Sequence, residues 1–285
     1  MNRIIVAVVL GCAVLCLPGR LAAQSGAAGT EPVTHELRLK DGSRMFGRIA
    51  AENADEVVFE THSGVALTTR RDQIASLRPV DGELHHGEFR PADPNHTRLF
   101  FGPTGRALPR GQVYFGVYEF ILPFVQVGVT DRISVGGGTP LVFFFDDEGF
   151  DRPFWLTPKV QVFNGKAVQA SVGVFQGFGG GSSAGIAYGV VTGGSKIGSV
   201  TGGVGVAYNS DGDRTVIAMA GGDRQVGRHV KLVTENYVWQ SGDGIVSGGV
   251  RFFGERMSAD VALGVPIGGD AGGFAFPVVN FVYLF

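Results

Sequence analysis

From Thr97 onward the chain repeats one pattern. Runs of about ten residues place an apolar side chain at every second position and a small or polar one between. Val125, Val127 and Val129 alternate with Gln126, Gly128 and Thr130. Val168, Ala170, Val172 and Val174 alternate with Gln169, Ser171 and Gly173. Val200, Val204, Val206 and Tyr208 oppose Ser199, Thr201, Gly203 and Asn209. A period of two is the signature of a strand with two unlike faces. Twelve strands are predicted, at 111–119, 122–130, 132–142, 154–163, 166–176, 184–192, 196–208, 214–221, 228–239, 243–253, 256–265 and 275–285. Most approach the roughly 9–11 residues that a tilted strand needs to cross a bilayer. A half-buried soluble sheet alternates in the same way. Here one set is uniformly Val, Ile, Leu or aromatic while the other is small and glycine-rich. That favours the wall of a membrane barrel, apolar outward and small or polar inward.

Connection lengths point the same way. Asp131-Arg132, Asn164-Gly165, 193–195, 223–227 and Gly254-Glu255 are short, whereas 143–153, 177–183, 209–213 and 266–273 are longer. Short turns at one rim and longer loops at the other are the layout of an up-and-down barrel. The first connection, 120–123, and the ninth, 240–242, do not follow it. The last strand carries Val279, Phe281, Tyr283 and Phe285 on one face, an aromatic stripe that looks like the closing strand of an outer-membrane barrel and the signal read by the barrel-insertion machinery. Its other face, Val278, Asn280, Val282 and Leu284, is also mostly apolar, which predicts a packed interior more than a wide aqueous pore.

Ahead of the barrel the pattern is shorter. Leu37 to Leu39, Phe46 to Ile49, Val57 to Thr61, Val65 to Thr69 and Ile74 to Leu77 read as five strands, with Asp41-Gly42 as a hairpin turn. This stretch, 34–80, resembles SH3-like and Sm-like small barrels. The Sm-like resemblance implies RNA binding, but Arg70-Arg71 is the only basic pair, and basic residues interleaved with aromatics are missing. The expectation is therefore a packing or protein-interaction module with no nucleic-acid partner. Residues 81–96 read as a linker, with Asp81-Gly82, Pro91, Pro94 and scattered charge, leaving 97–285 as the barrel domain.

Composition adds the compartment. Met1 to Ala23 has a positive start at Arg3, an apolar run from Ile4 to Leu17 and a small-residue exit at Leu21-Ala22-Ala23, the form of a secretory signal, with 24–33 as a loose leader. Val9-Leu10-Gly11-Cys12 resembles a lipoprotein cleavage box but lies too early in that run. Cys12 and Cys16 both fall inside the signal, so the exported chain has no disulfide or thiol chemistry. A net charge of −2 implies no general attraction to nucleic acid. Glycine, 46 of 285 residues, is about twice the usual share and sits within the alternating runs.

Candidate chemistry is sparse. Lys231, Glu235, Arg251 and Asp260 lie on late strands, and buried charges must pair, so these four are expected to form an interior ion-pair cluster. His85, His86, Asp93 and His96 have zinc-ligand chemistry without an organised spacing, and the expectation is a solvated linker and no metal. An embedded hydrolase would have to join His229, a strand serine and Asp260, but no nucleophile motif is present. Asp146-Asp147-Glu148 with Asp151 reads as a solvated acidic loop. Phe154, Trp155, Tyr237, Trp239, Phe252 and Phe253, with Phe143-Phe144-Phe145, are candidates for interfacial aromatic girdles. No cofactor motif occurs.

Several segments then carry a resemblance: Thr97 to Pro109, Val129 to Gly138, Leu232 to Asn236, Gly248 to Glu255 and Ala259 to Ala262. Over about 96–285 the chain is similar to uncharacterised exported β-barrel proteins of Gram-negative bacteria. The resemblance implies fold and location and brings no catalytic residue. The expected protein is all-β: a small five-stranded domain and an antiparallel barrel of about twelve strands in the outer membrane. Its expected role is structural, interactive or limited passage of a small solute, without catalysis. The alternatives are a soluble periplasmic barrel or sandwich that binds an apolar ligand or a protein partner, and an embedded lipid-modifying enzyme.

Overall fold

The structure, a computed structural model, describes residues 34–85, 87–141, 153–269 and 274–285. The signal, the leader, His86, Phe143 to Phe145 and the acidic loop lie outside these residues. The chain divides into two compact units, Met1–Val80 and Asp81–Phe285.

The first unit is an antiparallel sheet of β1 (His35–Leu39), β2 (Arg44–Glu52), β3 (Glu56–Thr61), β4 (Ala66–Arg70) and β5 (Ile74–Pro79). Its order is β4-β3-β2-β1-β5, so the last strand returns beside the first. A single 3-10 turn, Arg71–Gln73, leads into β5. Asp41-Gly42 makes the expected turn: Asp41 Oδ1 accepts the Ser43 N–H at 2.8 Å, and Gly42 takes φ +92°. Leu37, Val57 and Phe59 form the buried core. Buried Glu36 is held by Arg44 at 2.7 Å and Arg78 at 2.6 Å. The basic pair is already engaged, Arg70 with Asp72 at 3.4 Å and Arg71 with Glu52 at 2.8 Å.

The second unit begins with a hairpin, β6 (Gly82–His85) and β7 (Glu88–Pro91). The barrel follows: β8 (Val113–Tyr118), β9 (Leu122–Gly128), β10 (Ile133–Gly138), β11 (Phe154–Leu156), β12 (Lys159–Asn164), β13 (Val168–Gly179), β14 (Ser182–Gly194), β15 (Gly198–Asn209), β16 (Arg214–Gly227), β17 (Val230–Trp239), β18 (Gly244–Phe253), β19 (Met257–Ile267) and β20 (Phe276–Leu284). All neighbours are antiparallel, and β20 pairs with β8 to close the wall. The predicted strand 154–163 is split by Thr157-Pro158, since proline has no N–H for the ladder. Its halves β11 and β12 both lie between β10 and β13, so the barrel has twelve staves.

Two sequence expectations change here. Loop asymmetry is weaker than the spacing suggested, because β13 runs to Gly179 and β14 starts at Ser182. Gly180 and Gly181 alone turn the chain, at φ +61° and +71°. The poorly fitting first connection is a tight turn in which Glu119 and Phe120 themselves take φ +49° and +61°.

The larger change concerns 81–112. The stretch 81–96, expected as a solvated linker, instead makes the β6–β7 hairpin and then a buried segment with Asp93, Pro94 and Asn95 enclosed. Residues 97–112 are not barrel wall. Of these, 97–108 form a plug inside the lumen together with 93–96, and 109–112 lead from it to β8. Leu99 and Phe100 pack on Val233, Ala262 and Val278, and Leu108 packs with Tyr114, Phe124 and Val282. Glycine in the wall makes the room. A Cβ on Gly221 would lie 2.6 Å from Leu99 Cδ1, so the plug fits only against a bare backbone there.

Candidate functional site in the barrel lumen

Strand alternation turns one side chain in two toward the barrel axis, and the inward set divides by level. Near the rim of the β9–β10, β12–β13 and β16–β17 turns it is polar and grips the plug. Toward the other rim it is apolar and aromatic.

In the polar level, Arg251 of β18 makes a fork on Asp260 of β19, at 2.6 Å from Nε and 3.0 Å from Nη2. Its Nη1 donates to Asp93 at 3.0 Å and to the Asn95 carbonyl at 2.9 Å, and Nη2 also donates to the Leu99 carbonyl. Lys231 of β17 pairs with Asp223 at 2.7 Å and with Asp93 at 3.6 Å. Asp93 is thus the plug carboxylate shared by two wall cations. Glu235 is held differently. It accepts the N–H groups of Phe100 at 2.7 Å, Gly102 at 3.0 Å and Phe101 at 3.1 Å, and the Tyr237 hydroxyl at 2.7 Å. The four residues singled out from sequence all lie buried in the lumen. Arg251 and Asp260 touch, Lys231 joins them through Asp93, and Glu235 binds backbone rather than a cation. Asp223 is not among the sequence candidates, and Asp93 is named there only as a zinc-ligand type, not as a member of this cluster. Asp93 sat in a presumed linker and Asp223 in a presumed turn, although Asp223 shares the inward parity of Ile217, Met219 and Gly221 on β16.

The other arm of the plug is fixed by neutral and cationic donors. Lys159 Nζ reaches the carbonyls of Arg106 at 2.7 Å and Thr97 at 3.2 Å. Gln161 and Ser171 both donate to the Gly105 carbonyl, at 2.9 and 3.0 Å, while the Gly105 N–H donates to Thr192 at 2.8 Å.

Beyond the plug a cavity of about 660 Å³ occupies the apolar level. Its wall includes Phe124, Trp155, Tyr188, Met219, Tyr237 and Trp239, and Arg98 and Lys159 line it from the plug side. Arg98 donates to the hydroxyls of Tyr114 and Tyr118 and to Gln126 Oε1 at 2.8 Å, with its guanidinium carbon 4.3 Å from the Phe124 ring centroid. This residue was not singled out from sequence, since nothing in the spacing marks a plug arginine.

The girdle expectation divides. Phe154, stacked on Phe178 at 4.8 Å, and Phe252 face outward. Trp155, Tyr237 and Trp239 line the cavity and Phe253 is buried, because each has the inward parity of its strand. Val279, Phe281, Tyr283 and Phe285 lie on the outer face of β20, while Val278, Asn280 and Val282 fill the interior. His229 is exposed in the β16–β17 turn, and Asp260 is committed to Arg251. Among the described residues, no His, Cys, Asp and Glu side chains converge as a metal site.

No protein-family model and no curated protein matches the chain. Solved structures with a similar outline include porins. A KdgM porin in complex with disordered oligogalacturonate has 8% identity and a TM-score of 0.45, covering 61% of this chain and 98% of that one. A NanC porin has 6% identity and a TM-score of 0.43, with 61% and 97% covered. Salmonella typhi OmpF in complex with daunomycin has 10% identity and a TM-score of 0.35, with 89% and 95% covered. At these values no solute passes from those proteins to this one.

Proposed function

We propose that the chain is an outer-membrane β-barrel protein whose lumen is closed by its own residues 93–108 and receives a small, largely apolar solute. One observation carries the membrane assignment. Across the described barrel strands the outward positions bear only two charged residues, Arg214 and Arg224, one toward each rim. Between them lies an exposed belt that includes Val200, Val204, Val246, Val261, Leu263 and Phe281. A contiguous exposed apolar belt marks a surface that meets a membrane or a partner, and an apolar band flanked by polar rims is what lipid requires. Lipid and the barrel-insertion machinery are then the partners of the β20 stripe.

Limited passage, if the plug shifts, is the transport mode this lumen suits; the filled polar level argues against a standing aqueous channel. The embedded-hydrolase alternative is disfavoured, as Asp260 is bound by Arg251 and His229 stands in an exposed turn. For 34–80 the β4-β3-β2-β1-β5 order with a 3-10 turn before β5 supports an SH3-like module, which on this reading faces the periplasm and binds a protein.

Outer-membrane fractionation followed by a urea wash tests the assignment. Retention in the washed pellet is expected. Release into the soluble fraction would overturn it in favour of a soluble periplasmic barrel.

A further inference from the structure

We propose that the lumen cavity binds a single-chain amphiphile with a carboxylate head, its tail among the aromatic walls and its head at Arg98. The inference rests on the reading of the lumen as a solute site. The volume, about 660 Å³, falls within the range of roughly 300–1,000 Å³ usual for small-molecule sites. The walls are apolar, with Trp155, Tyr188, Ile217, Met219 and Trp239 among them. A ligand there must present mostly hydrocarbon.

The plug side is different in kind. Arg98 and Lys159 both line it, and among the described residues neither has a carboxylate partner, unlike Lys231 and Arg251 deeper in the lumen. Lys159 is satisfied by plug carbonyls. Arg98 is not fully satisfied: the residue is 6% exposed, and its Nε–H is buried with no hydrogen-bond partner among the described residues. A guanidinium stays charged at any working pH and favours a planar anion. An unmet buried donor beside unpaired positive charge is a demand for an acceptor. One open donor suits a carboxylate. A phosphate would bring more acceptor oxygens than this floor can meet. Glu235 does not line the cavity, and its carboxylate is occupied by the backbone N–H groups of Phe100, Phe101 and Gly102 and by the Tyr237 hydroxyl.

The protein carries its own reporter, since its two tryptophans, Trp155 and Trp239, both line the cavity. The full chain, folded in a neutral detergent, would be titrated with dibrominated stearate and with dibrominated stearyl alcohol, and bromine quenching of tryptophan followed. The expected result is saturable quenching by both probes, with the carboxylate half-saturating at about tenfold lower concentration, the least that one charge-assisted contact gives. Arg98→Gln is expected to bring the carboxylate to the level of the alcohol. Ala207→Phe, which fills the wall, should weaken both probes together.

Equal half-saturation by the two probes on the wild-type chain overturns the head-group assignment, and needs no variant to fold. Absence of saturable quenching by either, in a barrel that still shows heat-modifiable migration, overturns the cavity as a ligand site. Neither result touches the membrane assignment, which falls only if urea releases the protein.

Discussion

Asp93 and Arg251, 158 positions apart in sequence, meet at 3.0 Å with both side chains almost wholly buried. The pair fastens the chain before the barrel to a strand near its end, so the plug is tied to the wall by charge. The same arginine forks onto Asp260, and the same aspartate reaches Lys231. Removing the arginine would leave Asp93 and Asp260 with Lys231 as the nearest cation, and Lys231 is already paired with Asp223 at 2.7 Å.

Arg251→Met should therefore destabilise the barrel by about 3–5 kcal/mol, the usual consequence of leaving a buried charge unmatched. The loss is expected to loosen the plug as well as the wall. In planar bilayers the wild-type protein should be almost silent and the variant should show current bursts. The temperature at which the folded form loses its fast gel migration should fall. A variant as silent and as heat-resistant as the wild type would show that the plug is not held by this latch.

Glu235 is expected to act chiefly on the plug, because it accepts three consecutive N–H groups, those of Phe100, Phe101 and Gly102, besides the Tyr237 hydroxyl of its own strand. Hydrogen bonds to a charged acceptor contribute about 1.5–3 kcal/mol each and neutral ones about 0.5–1.5 kcal/mol. Glu235→Gln keeps one acceptor oxygen and loses the charge. Glu235→Ala leaves all three donors unmet. Chymotrypsin cleavage after Phe101 in the detergent-solubilised barrel should quicken in the order wild type, Gln, Ala. Equal rates would place the loop under other restraints.

The barrel was legible because its code is local. Alternation at 168–174 and 200–206 fixes which residues face the axis, whatever the partners are. That parity is why Lys231, Glu235, Arg251 and Asp260 were expected to face the interior. The plug was not legible for the opposite reason. Residues 93–108 have no period, and Pro94 and Pro103, with Pro109 just after them, make them look like connection. Their order comes from wall side chains as distant as Arg251 and Asn280, which the sequence does not place near them. The same limit hid Arg98. The girdle expectation failed at Tyr237 and Trp239 through proximity to loops: both lie at a strand end, but their parity with Glu235 turns them inward. Parity should have outweighed position.

Glycines on the two faces of the wall should respond differently to the same change. Gly221 faces the plug, and a Cβ there would lie 2.6 Å from Leu99 Cδ1 and crowd the Thr234 carbonyl. Gly202, on the outer face, has nothing nearer than the Met219 carbonyl at 3.9 Å. Gly221→Ala is expected to destabilise by about 1–3 kcal/mol through overpacking. Gly202→Ala should be neutral or stabilising by up to about 1 kcal/mol, as glycine gives way to alanine in a strand. Urea midpoints of the two variants in the same detergent check this, and a reversal of their order would contradict the inward placement of the plug.

The outer face supplies the last prediction, which separates a membrane wall from a soluble one. Val261 lies on β19 with its side chain outward and 55% exposed, flanked by Ala259 and Leu263 on the same face. In lipid, an arginine near the mid-plane of a barrel costs about 2–4 kcal/mol. On a solvated face the same change stays within about 0.5 kcal/mol. Val261→Arg should lower folding stability in lipid vesicles by the larger amount. Arg224, nearer a rim on the same face, should accept Arg224→Lys with little change, since a long cation there can reach the headgroups. Unfolding titrations in vesicles measure both. A tolerated arginine at 261 would mean that water, not hydrocarbon, meets this belt. The valine stripes would then need a protein partner to cover them.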